Sequence, residues 1–173
     1  MRSENNGVRS VIDDSVRDRA RGALLGLAVG DAVGTTLEFK LRDSCAPLTD
    51  MIGGGPFRLA PGVWTDDTSM ALALADSITE RGALDPVDLM ERFVRWWRQG
   101  KYSPTGDCFD IGITTRSALA RFEQTGDPLA GSRSPDAAGN GSLMRLAPVA
   151  IYGLSAGVAV MRNAARIQSA TTH

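Results

Sequence analysis

The sequence predicts an all-α protein. Almost no segment alternates apolar and polar residues at the period of a strand. Apolar residues recur instead at helical spacing, between helix-start and helix-stop residues. No internal repeat is present. At 173 residues the chain is the length of one domain and can bury a core without staples. Residues 1–14, polar and mixed in charge, are expected to form a flexible tail ahead of a single domain over 15–173.

Asp13, Asp14 or Ser15 can cap a first helix beginning near Val16. Its second half carries glycine at 22, 26, 30 and 34, one smooth stripe along the helix. Each glycine costs about 0.5–1 kcal/mol of helix propensity relative to alanine, so the stripe predicts close contact with another helix. Leu24, Leu25, Leu27, Ala28 and Val29 leave the rest apolar almost all round, as in a central helix. Asp31 stands out there, because a carboxylate among small and apolar residues must be hydrogen-bonded, paired or metal-associated. Capping a neighbouring segment and catalysis account for it equally well. Glu38 follows just past the helix end.

The stretch 41–61 has no sustained period. Gly53-Gly54-Gly55 lacks the lysine and helix start of a phosphate-binding loop, and the segment serves to deliver Trp64 and Thr65. A helix then opens on Thr65-Asp66-Asp67, runs with Met70, Leu74 and Ile78 on one face, and stops at Gly82. Asp85-Pro86 starts the next, with Leu89, Met90, Phe93, Val94 and Trp97 inward, Arg92, Arg95 and Arg98 toward solvent, and Gly100 as its stop. Asp110 begins a further helix start, with Ile113, Leu119 and Phe122 inward. A turn over Gly139, Asn140, Gly141 and Ser142 precedes an apolar stretch over 146–159, and Ala164 to His173 reads as a last helix.

Composition narrows the function. Nineteen basic residues against twenty acidic leave no field to attract nucleic acid or an anionic membrane surface. No apolar run reaches the length of a membrane span, and Cys45 and Cys108 show neither a disulfide framework nor metal-ligand spacing, so a cytoplasmic protein is expected. The single histidine, His173, is the last residue, which disfavours a hydrolase triad built on an internal histidine.

Chemistry centres on Trp64-Thr65-Asp66-Asp67-Thr68. Adjacent helical side chains diverge by about 100°, so both carboxylates can meet one small centre only from the loose first turn. With the Thr65 hydroxyl they are hard oxygen ligands of the kind Mg²⁺ or Mn²⁺ prefers. The plainer alternative is that they only complement the helix dipole.

Several motifs now stand in one order. Gly-Leu-Ala-Val-Gly-Asp31 with Glu38, Met-Ile-Gly-Gly-Gly before Trp-Thr65-Asp66-Asp67-Thr, Asp110-Ile-Gly, Gly139-Asn-Gly141-Ser-Leu-Met-Arg145 and the closing Thr-His173 resemble the ADP-ribosylglycohydrolase family, including its dinitrogenase reductase-activating members. The resemblance covers the chain from Arg19 onward. It implies an orthogonally packed all-α fold with a two-metal Mg²⁺ or Mn²⁺ centre, hydrolysing ADP-ribose from a modified protein side chain, arginine favoured. Thr65, Asp66 and Asp67 then correspond to metal ligands. Glu38 corresponds to the acid on a mobile loop beside the metals, and Asp110 to an acid near the scissile bond. Gly139, Asn140, Gly141, Ser142 and His173 correspond to substrate contacts. The implied partners are ADP-ribose and an ADP-ribosylated protein, with neither nucleic acid nor membrane. The family's second metal motif, a glycine-rich Asp-x-Asp-Thr segment, has no counterpart before His173, so the chain reads as an N-terminal portion of that fold. A non-catalytic ADP-ribose-binding or structural member is the alternative.

Overall fold

The computed structural model describes residues 13–137 and 139–173. The expected tail therefore lies almost wholly outside the described residues, and Asp13 already serves as the N-cap of α1 (Asp14–Gly34). A single 3₁₀ turn, Thr35–Leu37, follows. The remaining helices are α2 (Asp66–Arg81), α3 (Pro86–Gln99), α4 (Ile113–Thr125), the short α5 (Gly141–Met144), α6 (Ala147–Ala156) and α7 (Val158–Ala170). Among the described residues the one β pairing is an isolated bridge between Gly54 and Leu59, and no helix is long and apolar enough to cross a membrane.

Helix α2 is the hub, packed against α1, α3 and α6, while α3 also meets α4 and α7. Met70, Ala73 and Leu74 of α2, Leu89, Met90 and Phe93 of α3 and Ala118 and Leu119 of α4 are 0% exposed and form the core with Trp96. Each such large apolar side chain is worth about 1.5–3 kcal/mol of burial, enough for this cluster to fix how α2 sits. Helix ends follow their local signals. Asp85 accepts from the Val87 and Asp88 amides with Pro86 in the first turn, and Gly82 and Gly100 close α2 and α3 in the left-handed conformation.

Four expectations fail. Gly22, Gly26, Gly30 and Gly34 face open space, Leu25 and Val29 are exposed, and only Ala32 of α1 is buried, so α1 is a surface helix here. Arg92 is buried rather than solvated, because Asp88, Glu80 and Asp76 surround its guanidinium. Ile113 points outward as the first residue of α4, whose buried face starts at Thr115 and continues through Ala118 and Leu119. The apolar stretch after Arg145 breaks at Gly157, where φ is 86°, so the last helix starts at Val158.

Candidate functional site

Thr65 occupies the N-cap position of α2, yet its hydroxyl caps nothing on its own helix. The cap comes from α1. Asp31 accepts hydrogen bonds from the Thr65 amide (3.0 and 3.1 Å), the Thr65 hydroxyl (2.6 Å), the Thr68 amide (3.0 Å) and the Thr68 hydroxyl (2.6 Å). Asp31 thus satisfies two of α2's orphan donors across space and pins α1 to the site. Because the Thr65 hydroxyl proton is committed to Asp31, the lone pairs of Thr65 Oγ1 remain available as a neutral oxygen donor.

Beside this joint, carboxylates gather without a cation. Asp66 is buried, and desolvation together with Asp110, Asp67, Asp31 and Glu38 pushes its pKa up to about 8. Burial, then Asp31 and Asp110, raise Asp67 to about 6. Burial and the neighbouring Asp110 raise Glu38 as well. The two groups stand close enough for the Glu38 carboxyl to donate its proton to Asp110, whose own pKa is raised mainly by burial. None of these five carboxylates forms a salt bridge among the described residues. An open cleft of about 340 Å³ lies alongside, lined by Gly30, Asp31, Gly34, Glu38, Thr65 and Asp67 among others. Two glycines of the stripe therefore border the cleft instead of a partner helix.

Two loops bring in the outlying acids. Thr36 Oγ1 donates to the Gly53 carbonyl at 2.9 Å, and a Cβ on Gly55 would collide with the Thr35 backbone, so the glycine triplet locks the turn that carries Glu38. Phe57 then packs on Phe39 (6.3 Å between centroids) and on Phe109 (5.5 Å), joining the neighbour of Glu38 to the neighbour of Asp110. Asp110 itself sits in the loop before α4, with φ of 52°, and not at the helix start that the sequence suggested. Helix-dipole stabilisation therefore does not apply to it.

The second predicted group assembles into a separate glycine wall, and none of its residues lines the cleft. Positions where Gly139 and Gly141 would carry a Cβ lie 3.0 Å from the His173 ring, so only glycine leaves that ring approachable. Ser142 is tied to α7, its hydroxyl accepting from Ser169 Oγ at 2.8 Å and its carbonyl from Gln168 Nε2 at 3.0 Å. Asn140 is exposed at the N-cap of α5 and makes no side-chain cap bond. Sequence reasoning assigned no role to Arg145, which is fully buried behind this wall. A fixed charge inside a run of small residues was the available signal.

Among the described residues, no three histidine, cysteine, aspartate or glutamate side chains converge as a finished metal cage would. The donors present are hard oxygens, Thr65 Oγ1 with the Asp66 and Asp67 carboxylates, backed by uncompensated negative charge. That chemistry fits a hard divalent cation such as Mg²⁺ or Mn²⁺.

Comparison with known proteins bears on the family and the fold. The family model for ADP-ribosylglycohydrolase matches residues 12–173. An ADP-ribosylarginine hydrolase Tri1 of Pseudomonas putida (strain GB-1) is 57% identical over 135 residues, 78% of this chain and 36% of the relative. An ADP-ribosyl-[dinitrogen reductase] glycohydrolase of Rhodospirillum rubrum is 44% identical over 141 residues, 79% of this chain and 45% of the relative. A solved structure titled ADP-ribosylglycohydrolase-related protein complex superposes with a TM-score of 0.78 at 44% identity, covering 93% of this chain and 51% of that one. The chain thus spans about half of that structure, and less than half the length of the two sequence relatives.

Proposed function

The chain belongs to the ADP-ribosylglycohydrolase family, and we propose that the protein carrying it removes ADP-ribose from a modified protein side chain, arginine first, with the help of Mg²⁺ or Mn²⁺. One observation carries this reading: a half-buried set of carboxylates at the start of α2, without a salt bridge among the described residues and opening onto a cleft. Arginine is favoured because a relative's name specifies ADP-ribosylarginine. The expected setting is the cytoplasm, which suits the free thiols Cys45 and Cys108.

Thr65, Asp66 and Asp67 would hold the ion. When bound, it supplies orientation of the ribose diol and a lowered pKa for a water. The rest falls to the chain. The C1″–N bond breaks with its electron pair going to the guanidine nitrogen, water oxygen bonds to C1″, and the leaving side chain gains a proton. Positive charge builds on the ribose during this exchange, and the surrounding carboxylates stabilise it. Asp110 orients the leaving side chain from its loop. Glu38, its pKa raised to about 7 by burial and by Asp110, can take up or release a proton at the mouth of the cleft and gates the site. Gly139 and Gly141 let the ligand approach His173, and Asn140 offers an exposed amide beside them; Ser142 fixes the wall to α7.

The test is release of ADP-ribose from ADP-ribosylated arginine, ADP-ribosylated serine and O-acetyl-ADP-ribose, with and without EDTA. Release from the arginine substrate that EDTA abolishes supports the proposal. No release from any substrate overturns it, and ADP-ribose binding without turnover assigns the protein to a non-catalytic role.

A further inference from the structure

Behind the glycine wall, Arg145 is 0% exposed and has no carboxylate within ion-pairing distance among the described residues. Its guanidinium stacks over the Phe93 ring at 4.7 Å. Nε donates to Gln168 Oε1 at 2.8 Å, and Nη2 donates to the Gln168 carbonyl and to Thr172 Oγ1, each at 2.8 Å. Burying a cation with no direct ion pair is costly, and the attraction of the more distant Asp66 offsets it only in part, so this arrangement needs a purpose beyond packing. The fork shape supplies one, since only arginine can hold a side-chain amide, a carbonyl and a hydroxyl at once.

Thr172 is also 0% exposed, and its hydroxyl has two partners: Arg145 Nη2 and His173 Nδ1, the latter at 2.7 Å. Arginine can only donate, so Thr172 Oγ1 accepts from it. The hydroxyl proton then has one acceptor within reach, His173 Nδ1, and leaving that proton unpaired in a buried site would cost about 1–3 kcal/mol. Nδ1 must therefore be bare and Nε2 must carry the ring proton. An imidazolium would leave the Thr172 proton nowhere to go.

We infer that Arg145 and Thr172 are positioning residues that fix His173 as a neutral imidazole protonated on Nε2, a hydrogen-bond donor for a phosphate or ribose oxygen. Nε2 lies 3.0 and 3.1 Å from the points where Gly139 and Gly141 would carry a Cβ, so a side chain at either position would press on the nitrogen. The choice of ligand oxygen rests on the ADP-ribose reading above. The tautomer does not.

Because His173 is the single histidine, long-range ¹H–¹⁵N correlation of the ¹⁵N-labelled chain at neutral pH reads one imidazole. The expected spectrum shows protonation on Nε2 alone. Thr172→Val should give a mixture of tautomers, Thr172→Ser should restore the parent pattern, and Arg145→Lys should loosen it. A parent protonated on Nδ1, or a Thr172→Val chain with an unchanged pattern, overturns the relay. Titration with ADP-ribose and Mn²⁺ should move the Nε2–H signal, with Thr172→Val weakening affinity about tenfold, the loss of roughly one hydrogen bond. If the tautomer is as expected but ADP-ribose leaves the signal untouched, the relay stands and the ADP-ribose assignment of this wall fails.

Discussion

Acid lies at both ends of helix α2, and the two ends are handled in opposite ways. Toward its C-terminal half, Glu80 and Asp76 meet Arg92, which also binds Asp88 of α3 at 2.7 Å, while Arg81 reaches Asp88 at 2.9 Å. Burial alone would raise the Asp88 pKa, but the hydrogen bonds from Arg92 and Arg81 prevail and hold it at about 2. At the N-terminal end, burial and like charges leave Asp66 at about 8; among the described residues no arginine ion-pairs with it, and the buried Arg145 acts on it only from further off. The chain has basic residues to spare, nineteen in all. The compensated end is therefore a structural joint between α2 and α3, and the other end is where the proposed divalent cation would sit.

Breaking the joint should have the largest effect. Arg92→Met leaves the buried Asp88 with Arg81 as its one remaining ion-pair partner and should cost about 3 kcal/mol, read as a lower urea midpoint. A loss below about 1 kcal/mol would mean the two ends do not differ. Next comes Asp110→Asn in the active protein, which should reduce turnover about a hundredfold while leaving ADP-ribose affinity near the parent's. Loss of Mn²⁺ binding instead would move Asp110 into the ligand set.

Acid sharpens the contrast further. The Asp88 pKa is depressed from 3.8 to about 2, so its contribution, about 2 kcal/mol, is complete above the unfolded value and is lost as pH falls through about 2. Urea melts of the parent and Asp88→Asn should converge over that interval. The smallest effect belongs to Asp66→Asn in EDTA, which should cost less than about 1 kcal/mol because it removes repulsion and breaks no ion pair.

Features with a local cause were legible in the sequence. Asp85-Pro86, Gly82 and Gly100 bound their helices because caps act within a turn, and Met70, Leu74 and Ile78 fall on one face by spacing alone. The Thr65-Asp66-Asp67 and Gly139–Ser142 motifs were visible as residue types in an unusual setting. Features made by long-range contact were not. Asp31 caps a helix start 34 residues away, and Arg92, beyond its i−4 partner Asp88, is enclosed by Glu80 and Asp76 of another helix, so neither long-range contact leaves a periodic trace. The glycines of α1 were read as a packing stripe, since nothing in their spacing distinguishes a helix contact from the edge of a cleft.

The central claim is that the start of α2 holds a divalent cation, and thermal melts of the EDTA-treated chain with increasing Mn²⁺ test it most directly. The parent's Tm should rise with Mn²⁺, since a ligand bound only by the folded state stabilises it by mass action. The Asp66→Asn, Asp67→Asn double variant should show no rise. A double variant that responds to Mn²⁺ as strongly as the parent would contradict the claim and reduce both carboxylates to ornaments of a helix end.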